Sequence, residues 1–408
     1  MIATALRSVP ENLSPAQAYD LVIVGGGIVG LTVASFFRNQ ALTVAVVESQ
    51  TQSQAAAKQQ AYALHLCSQK ILTGLGIWSD LQLQLQPFTE VKLSDGDYPY
   101  VVHYQARDIG METVGYVAQH GPFLSVLQRA INQAPNIHYL CPYVVQGITP
   151  QSHATRLSLS NSTGESLTLE ARLVIAADGS QSSLRQQVGI TQQGWPYPQN
   201  CVVATLEFSQ TQTPIAYERF WPTGPLGVLP LSPRRYRIVW TLPAPQADIV
   251  VNMTDGEFCQ ALQPHLDPAM GEFQTLGPRF QFPTRLRQSQ AYVQSRFALV
   301  GDAAHTCHPV GGQGLNLGIR DAAALAQVIL QAWEQEEDIG AISVLKRYQR
   351  WRLWQNWLTL GFTDILNRLF SNQAWGIVQL RRLILHGLGR VALFRYLSLR
   401  FMAGLWGQ

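Results

Sequence analysis

The longest charge-free apolar stretch noted is "LVIVGGGIVGLTVASFF", residues 21–37. Its 17 residues sit at the short limit for a membrane span, and three consecutive glycines divide it. Its flanks give a better reading. "LVIV" is short, apolar and β-branched, as a parallel strand buried on both faces should be. "TVAVVE" (43–48) repeats that signature after a predicted helix of roughly 12 residues. Residues 19–49 therefore read as strand, glycine turn, helix and strand.

The pattern then changes period several times. "CSQKILTGLGIWSDL" (67–81) and "FLSVLQRAINQA" (123–134) read as helical, and residues 88–117 as β-rich. Alternating segments between 137 and 175, with a turn at "NSTGE", predict a meander. "ARLVIAADGS" (171–180) is another buried strand, ending in Asp178-Gly179. Residues 195–290 read as β throughout, "RFALVGD" (296–302) returns to a buried strand, and the chain is helical from about 318. The expected fold is α/β. A discontinuous Rossmann-like dinucleotide-binding domain (1–87, 113–194 and 291–350) is interrupted by a β-rich substrate domain (88–112 and 195–290). A helical segment, 351–408, closes the chain.

The glycines bring the first chemistry. Their spacing is Gly25-x-Gly27-x-x-Gly30, with Glu48 at the end of the second strand, where a ribose-binding acid is expected. Gly25 permits a tight turn, Gly27 admits a pyrophosphate to the backbone, and Gly30 lets helix and strand approach. The phosphates then meet the positive end of the helix.

Two further motifs follow in order: "LVIAADGSQSSLR" (173–185) and "ALVGDAAHTCHPVGGQGLNLGIRDAAAL" (298–325). Together the three motifs resemble the aromatic-ring flavoprotein monooxygenases of the p-hydroxybenzoate hydroxylase class, and within it the ubiquinone-biosynthesis hydroxylases. "GLGIW" (74–78), "GYVAQ" (115–119), "AYERFWPTGPLGVLPL" (216–231) and "GFTDILNRLFSN" (361–372) carry the likeness over nearly the whole chain. The resemblance implies FAD in the first domain, NADPH or NADH as reductant, and O2 reacting at flavin C4a. The resulting hydroperoxide would hydroxylate the ring of a polyprenylated phenol or quinone precursor. A prenyl-chain reductase or an epoxidase is the related alternative.

The resemblance also assigns residues. Asp302 is expected beside the ribityl chain. Gly311, Gly312 and Gly314, with Leu315 and Asn316, open a helix whose N–H groups would face the charge of reduced flavin. Asp178 and Arg185 are expected near the FAD and the nicotinamide approach, with a strand-end turn and a surface arginine as the plainer readings. Gln128 occupies a helix position that touches the cofactor in the family, and a solvated face is the alternative. Gln60 stands where the family carries an arginine on the pyrophosphate, so FAD affinity should be lower unless Lys58 compensates. His308 and Pro309 fall on the substrate side of the flavin, where His308 could take a phenol proton; loop packing is the alternative. His305, Cys307 and His308 look like metal ligands but share one short loop with no second ligand cluster, so no metal is expected. His305 reads as structural.

Composition sharpens this picture in three places. Charged residues make up only 13% of the 408 positions, about half the usual share, which predicts an apolar patch on the surface. A net charge of +3 gives no reason to expect nucleic acid. Five scattered cysteines without a CxxC fit a reducing compartment, and the first nineteen residues lack the apolar core of a signal peptide. A cytoplasmic protein is expected. Residues 351–408 hold seven arginines against one acid, Asp364, and five of the ten tryptophans. Arginine mixed with Leu, Phe and Trp at helical intervals suits a peripheral helix at an anionic membrane or in a quinone-biosynthesis complex. The sequence defines no oligomeric state.

Overall fold

The computed structural model describes residues 17–96 and 98–405; the expectations for the first sixteen residues and for Trp406 lie outside these. The first apolar run forms the strand Gln17–Val24, and Val44–Val47 lies beside it, parallel, with Leu21 opposite Val44 and Val24 opposite Val47. Ser166–Ala176 pairs with its other edge, followed by Phe297–Leu299, while Ile137–Leu140 extends the sheet beyond Val44–Val47, all parallel. Two antiparallel strands, Thr155–Ser160 and Val144–Pro150, continue from Ser166–Ala176 and supply the predicted meander. The helices Ile28–Phe36, His120–Asn132 and Gln313–Glu334 pack their apolar faces on this sheet, and all four residues of Val44–Val47 are buried. Each Leu or Ile fully buried here contributes about 1.5–3 kcal/mol.

A second sheet runs in the order His305–Thr306, Phe280–Ser289, Gln192–Phe208, Arg235–Pro243, Gly224–Pro230, Ile215–Trp221, Glu90–Asp95, Val101–Gln105. It is antiparallel except where Ile215–Trp221 meets Glu90–Asp95. Residues 195–290 are not continuous β. Two helices, Ala244–Val251 and Asp255–Leu262, cover one face of this sheet, where Phe258 and Leu262 pack against Tyr236, Ile238 and Trp240. "APQADIVV" lacks strand alternation, and Thr254 with Glu257 forms a capping box; both local signals favour helix. The opposite face stays open and lines a cavity. The strand His305–Thr306 attaches the glycine-rich 301–325 stretch directly to the second sheet. A small sheet of Ala61–His65, Gly115–Gln119 and Gln86–Phe88 lies beside the same stretch.

The helix Ile342–Phe370 runs unbroken through position 350, where the sequence pattern placed a division. Beyond it, Trp375–Arg390 and Ala392–Met402 return to the body of the protein. A buried ion pair fixes the first of these: Arg381 Nε lies 2.8 Å from Asp95 Oδ2, and the same guanidinium donates to the carbonyls of Phe370 and Asn372. Breaking such a pair from one side costs about 3–5 kcal/mol.

Candidate active site

Two cavities meet in the middle of the molecule. The first, about 530 Å³, is the glycine cleft, lined by Gly25, Gly27, Glu48, Lys58, Asp178 and Asp302 among others. Gly25 turns at φ +111°, and a Cβ there would lie 2.3 Å from the Ala177 carbonyl oxygen. A Cβ on Gly30 would meet the Gly25 oxygen at 1.9 Å, so this glycine is what allows the helix against the turn. Gly27 differs: a Cβ there would meet nothing within 4 Å, because the position faces the cleft. Gly27 also caps the helix Ile28–Phe36 without any side-chain hydrogen bond, leaving the helix N–H groups directed at open space. The Glu48 carboxylate accepts from Gly26 N at 2.7 Å and from Gln50 N at 2.8 Å. Its remaining lone pairs are free to accept from hydroxyls.

The second cavity, about 590 Å³, is mostly apolar and shares Gln60, Tyr62, Gln181, Asp302 and Leu315 with the first. Its floor is the 309–315 loop. Gly311 and Gly312 both take left-handed backbone, φ +66° and +60°, which only glycine adopts without strain. Gly312 caps the 22-residue helix Gln313–Glu334 with no side-chain bond, so a second uncapped helix end faces the junction of the two cavities. His65 holds the loop from below, its Nε2 donating to the Gly311 carbonyl at 3.1 Å. The roof is the open face of the second sheet, with Val203, Ala216, Gly227, Leu229 and Val239. One wall comes from the chain terminus: Leu399, Met402 and Ala403.

With this geometry in place, comparison with known proteins is decisive. Residues 18–360 match the family described as FAD binding domain. The chain belongs to this family of FAD-dependent monooxygenases. The flavoprotein is 31% identical to the ubiquinone hydroxylase UbiL of Rhodospirillum rubrum, over 97% of this chain and 92% of that protein. It is 31% identical to the 3-demethoxyubiquinol 3-hydroxylase of Escherichia coli, over 95% and 99%. An uncharacterised protein of Synechocystis is 43% identical over 96% and 94%. In fold it resembles the p-nitrophenol 4-monooxygenase PnpA of Pseudomonas putida, with a TM-score of 0.82 at 19% identity, over 96% and 98% of the two chains.

The residues present fit FAD. Both uncapped helix ends, the open Gly27, and the unpartnered buried Oδ1 of Asp178 face or adjoin the glycine cleft. Asp302 opens into both cavities. Desolvation deep in this junction raises its carboxyl above the ordinary range. Lys58 and Gln60 both line the cleft, and Gln60 accepts from the Tyr62 hydroxyl at 2.6 Å.

Several expected residues sit elsewhere. Arg185 is no surface arginine: it is 3% exposed, lines neither cavity, and its Nη1 donates to the Ala303 carbonyl at 2.9 Å. It braces the Asp178 segment against the Asp302 turn. Gln128 is buried beside Tyr139, under Gly26, and lines neither cavity. Asn316 uses its whole side chain internally. Nδ2 donates to Ala63 O and Gly312 O, and Oδ1 accepts from His65 N and Ser68 Oγ. It shapes the glycine loop and has no donor left for a ligand.

The histidines part company. His305 Nε2 lies 2.5 Å from Asp321 Oδ2, and Arg352 Nε is 2.7 Å from the other oxygen. Burial would raise the Asp321 carboxyl, but these two neighbours hold it well below the carboxylate range. His308 is fully buried, edge-on to Tyr197, and its Nδ1 accepts from Val310 N. Burial pushes its pKa down to about 3. It lines neither cavity, so it is a loop-packing residue and not a base facing substrate. Pro309 does line the apolar cavity. Among the described residues no group of three His, Cys, Asp or Glu side chains is arranged for a metal ion.

Two cavity residues escaped the sequence reading. Glu218 hangs from Ile215–Trp221 toward the glycine loop; burial raises its carboxyl to about 7, and the Gly311 N–H partly offsets this. Arg237 projects from Arg235–Pro243 into the same cavity, 5% exposed, with Nε and Nη1 unpartnered. The available signal was strand alternation: in "RYRIVWT", Tyr236, Ile238 and Trp240 enter the core, which turns Arg237, Val239 and Thr241 the other way.

Proposed function

We propose that this flavoprotein hydroxylates the aromatic ring of a polyprenylated phenol or quinone precursor, consuming NADPH or NADH and O2, in isoprenoid quinone biosynthesis. One observation carries the reading. The cleft suited to a dinucleotide runs without interruption into an apolar cavity of about 590 Å³, and the glycine loop forms the boundary. That volume suits a ring with part of a prenyl chain. The relatives named ubiquinone hydroxylase and 3-demethoxyubiquinol 3-hydroxylase support the same substrate class. When bound, FAD supplies the hydride and oxygen chemistry.

The chain's own groups do the rest. Gly25, Gly27 and Gly30 shape the pyrophosphate seat, Glu48 takes ribose hydroxyls, and Asp302 takes a ribityl hydroxyl. The N–H groups after Gly312 stabilise negative charge at the pyrimidine edge. Glu218, poised near neutrality, accepts the proton of the substrate's phenol. Apolar walls keep water from the reacting ring. In domain terms, 1–87, 113–194 and 291–350 hold the cofactor, and 88–112 with 195–290 hold the ring.

Substrate delivery follows from the terminal helices. The helix Ala392–Met402 lines the cavity through Leu399 and Met402 while exposing Leu393 and Phe394, and Trp375 and Leu383 of the preceding helix are 78% and 69% exposed. Arg382 and Arg390 belong to the same segment. No described helix is long and apolar enough to cross a membrane. A cytoplasmic enzyme resting this face on anionic lipid would receive a prenylated ring directly from the bilayer. The test supplies ¹⁸O2, NADPH and a prenylated phenol in anionic vesicles. One ¹⁸O on the ring is expected; a reduced chain without label would mark a reductase, and an epoxide on the chain an epoxidase.

A further inference from the structure

Arg237 poses the sharpest unanswered question in the molecule. A buried guanidinium normally has a carboxylate or several carbonyls around it, because an unpaired interior charge is strongly unfavourable. Arg296 and Arg381 obey that rule here, each with an aspartate and backbone carbonyls. Arg237 does not. It is 5% exposed, two of its three nitrogens have no partner, and desolvation alone depresses it.

Register places it exactly opposite no acid. Arg237 faces Leu229 and Thr205 across its two neighbouring strands, while Glu218 faces Gly227. Glu218 therefore shares the cavity face but lies two strands and two residues away, about 12 Å between Cα atoms from ordinary strand spacing. The cavity thus has two separated poles on one apolar wall: a proton acceptor beside the glycine loop and a bare cation beyond it. A single aromatic ring bearing a hydroxyl at one end and an anion at the other fits between them. The planar guanidinium matches the two oxygens of a carboxylate better than any neutral substituent.

We propose that Arg237 anchors a ring carboxylate, so that the substrate is a prenylated hydroxybenzoate still carrying its acid group. This rests on the ring-hydroxylation reading above and narrows it. It also places the enzyme before the decarboxylation of its ring in any reaction sequence.

The test measures equilibrium binding to the FAD-loaded protein by flavin absorbance. Three short-chain ligands are compared: a 3-prenyl-4-hydroxybenzoate, its methyl ester, and the decarboxylated 2-prenylphenol. Wild type should bind the acid about tenfold or more tightly than either other ligand. Arg237→Leu and Arg237→Gln should erase that preference by weakening the acid alone, with circular dichroism and FAD content checking the fold. Equal affinity for acid and ester, or an unchanged preference in both variants, overturns the carboxylate assignment and leaves ring hydroxylation standing. Failure of all three ligands to perturb the flavin, with no labelled ring product from ¹⁸O2, overturns the hydroxylation reading and this proposal together.

Discussion

The glycine cleft and the apolar cavity meet along one line of residues, yet they are built from different materials. The cleft is mostly backbone. Its specificity lies in where side chains are missing and in two uncapped helix ends, and these are encoded over a few consecutive residues at fixed spacing. The cavity is mostly side chains from strands far apart in sequence. Glu218, Gly227, Arg237 and Leu399 become neighbours in one cavity only after the second sheet and the terminal helix are in place. A local motif survives reading in one dimension, whereas a register does not.

The largest expected effect breaks the cleft and leaves the cavity residues untouched. Gly30→Val places its Cβ, which would lie 1.9 Å from the Gly25 oxygen, where backbone cannot yield. It should abolish FAD retention and lower the unfolding midpoint sharply. Gly27→Ala should separate the two contributions. Its Cβ points into open cleft, so stability without cofactor should stay within about 0.5 kcal/mol of wild type while FAD affinity falls about tenfold or more. Denaturant unfolding and fluorescence titration check both. Equal FAD affinity in Gly27→Ala and wild type would remove Gly27 from the pyrophosphate seat.

The next effect sharpens the cavity. The Glu218 carboxyl stands at about 7 in the folded protein, raised from 4.5 by burial and partly offset by the Gly311 N–H; Asp302 and Arg237 share its cavity. A raised carboxyl favours folding while protonated, and that contribution is lost as pH rises through about 7. The cofactor-free protein should therefore weaken between pH 5 and 8 relative to Glu218→Gln. Turnover should run oppositely: kcat/KM rises with pH through about 7 as the carboxylate becomes able to accept a phenol proton, and Glu218→Gln flattens this limb. An unaltered pH profile in the variant would leave Glu218 as a wall residue only.

The same contrast explains what was legible in the sequence. The parallel sheet, its order of motifs and the glycine loop could be read because each rests on contiguous signals. The histidines were harder. "HTCHP" gives no sign that His305 points to Asp321 on the long helix while His308 turns beneath Tyr197, since both partners are set by tertiary packing. Asn316 looked like a ligand because it follows the glycines; its four hydrogen bonds all close within the protein. Arg185 lay in a phosphate-cleft motif yet proved a strut between two cleft segments. Each of these residues stands within a motif that surrounds a ligand, and adjacency along the chain does not decide which side chains reach it.

Gln60 is where cleft and cavity compete for one side chain, and it carries the smallest expected effect. It lines both cavities and accepts from Tyr62, whose hydroxyl also lies 2.9 Å from His120 Nδ1. An arginine here would add a charge facing the phosphates but would give up that acceptor. Lys58 already supplies one cation to the cleft, so the gain is partial. Gln60→Arg should tighten FAD by about three- to tenfold at low salt, with the gain shrinking as ionic strength rises, as an exposed charge contact requires. Gln60→Met keeps the length without the charge or the acceptor and should not tighten binding. If the arginine variant binds FAD no better than wild type at low salt, Lys58 already meets the cleft's need for positive charge, and the departure from the family's arginine is neutral for cofactor binding.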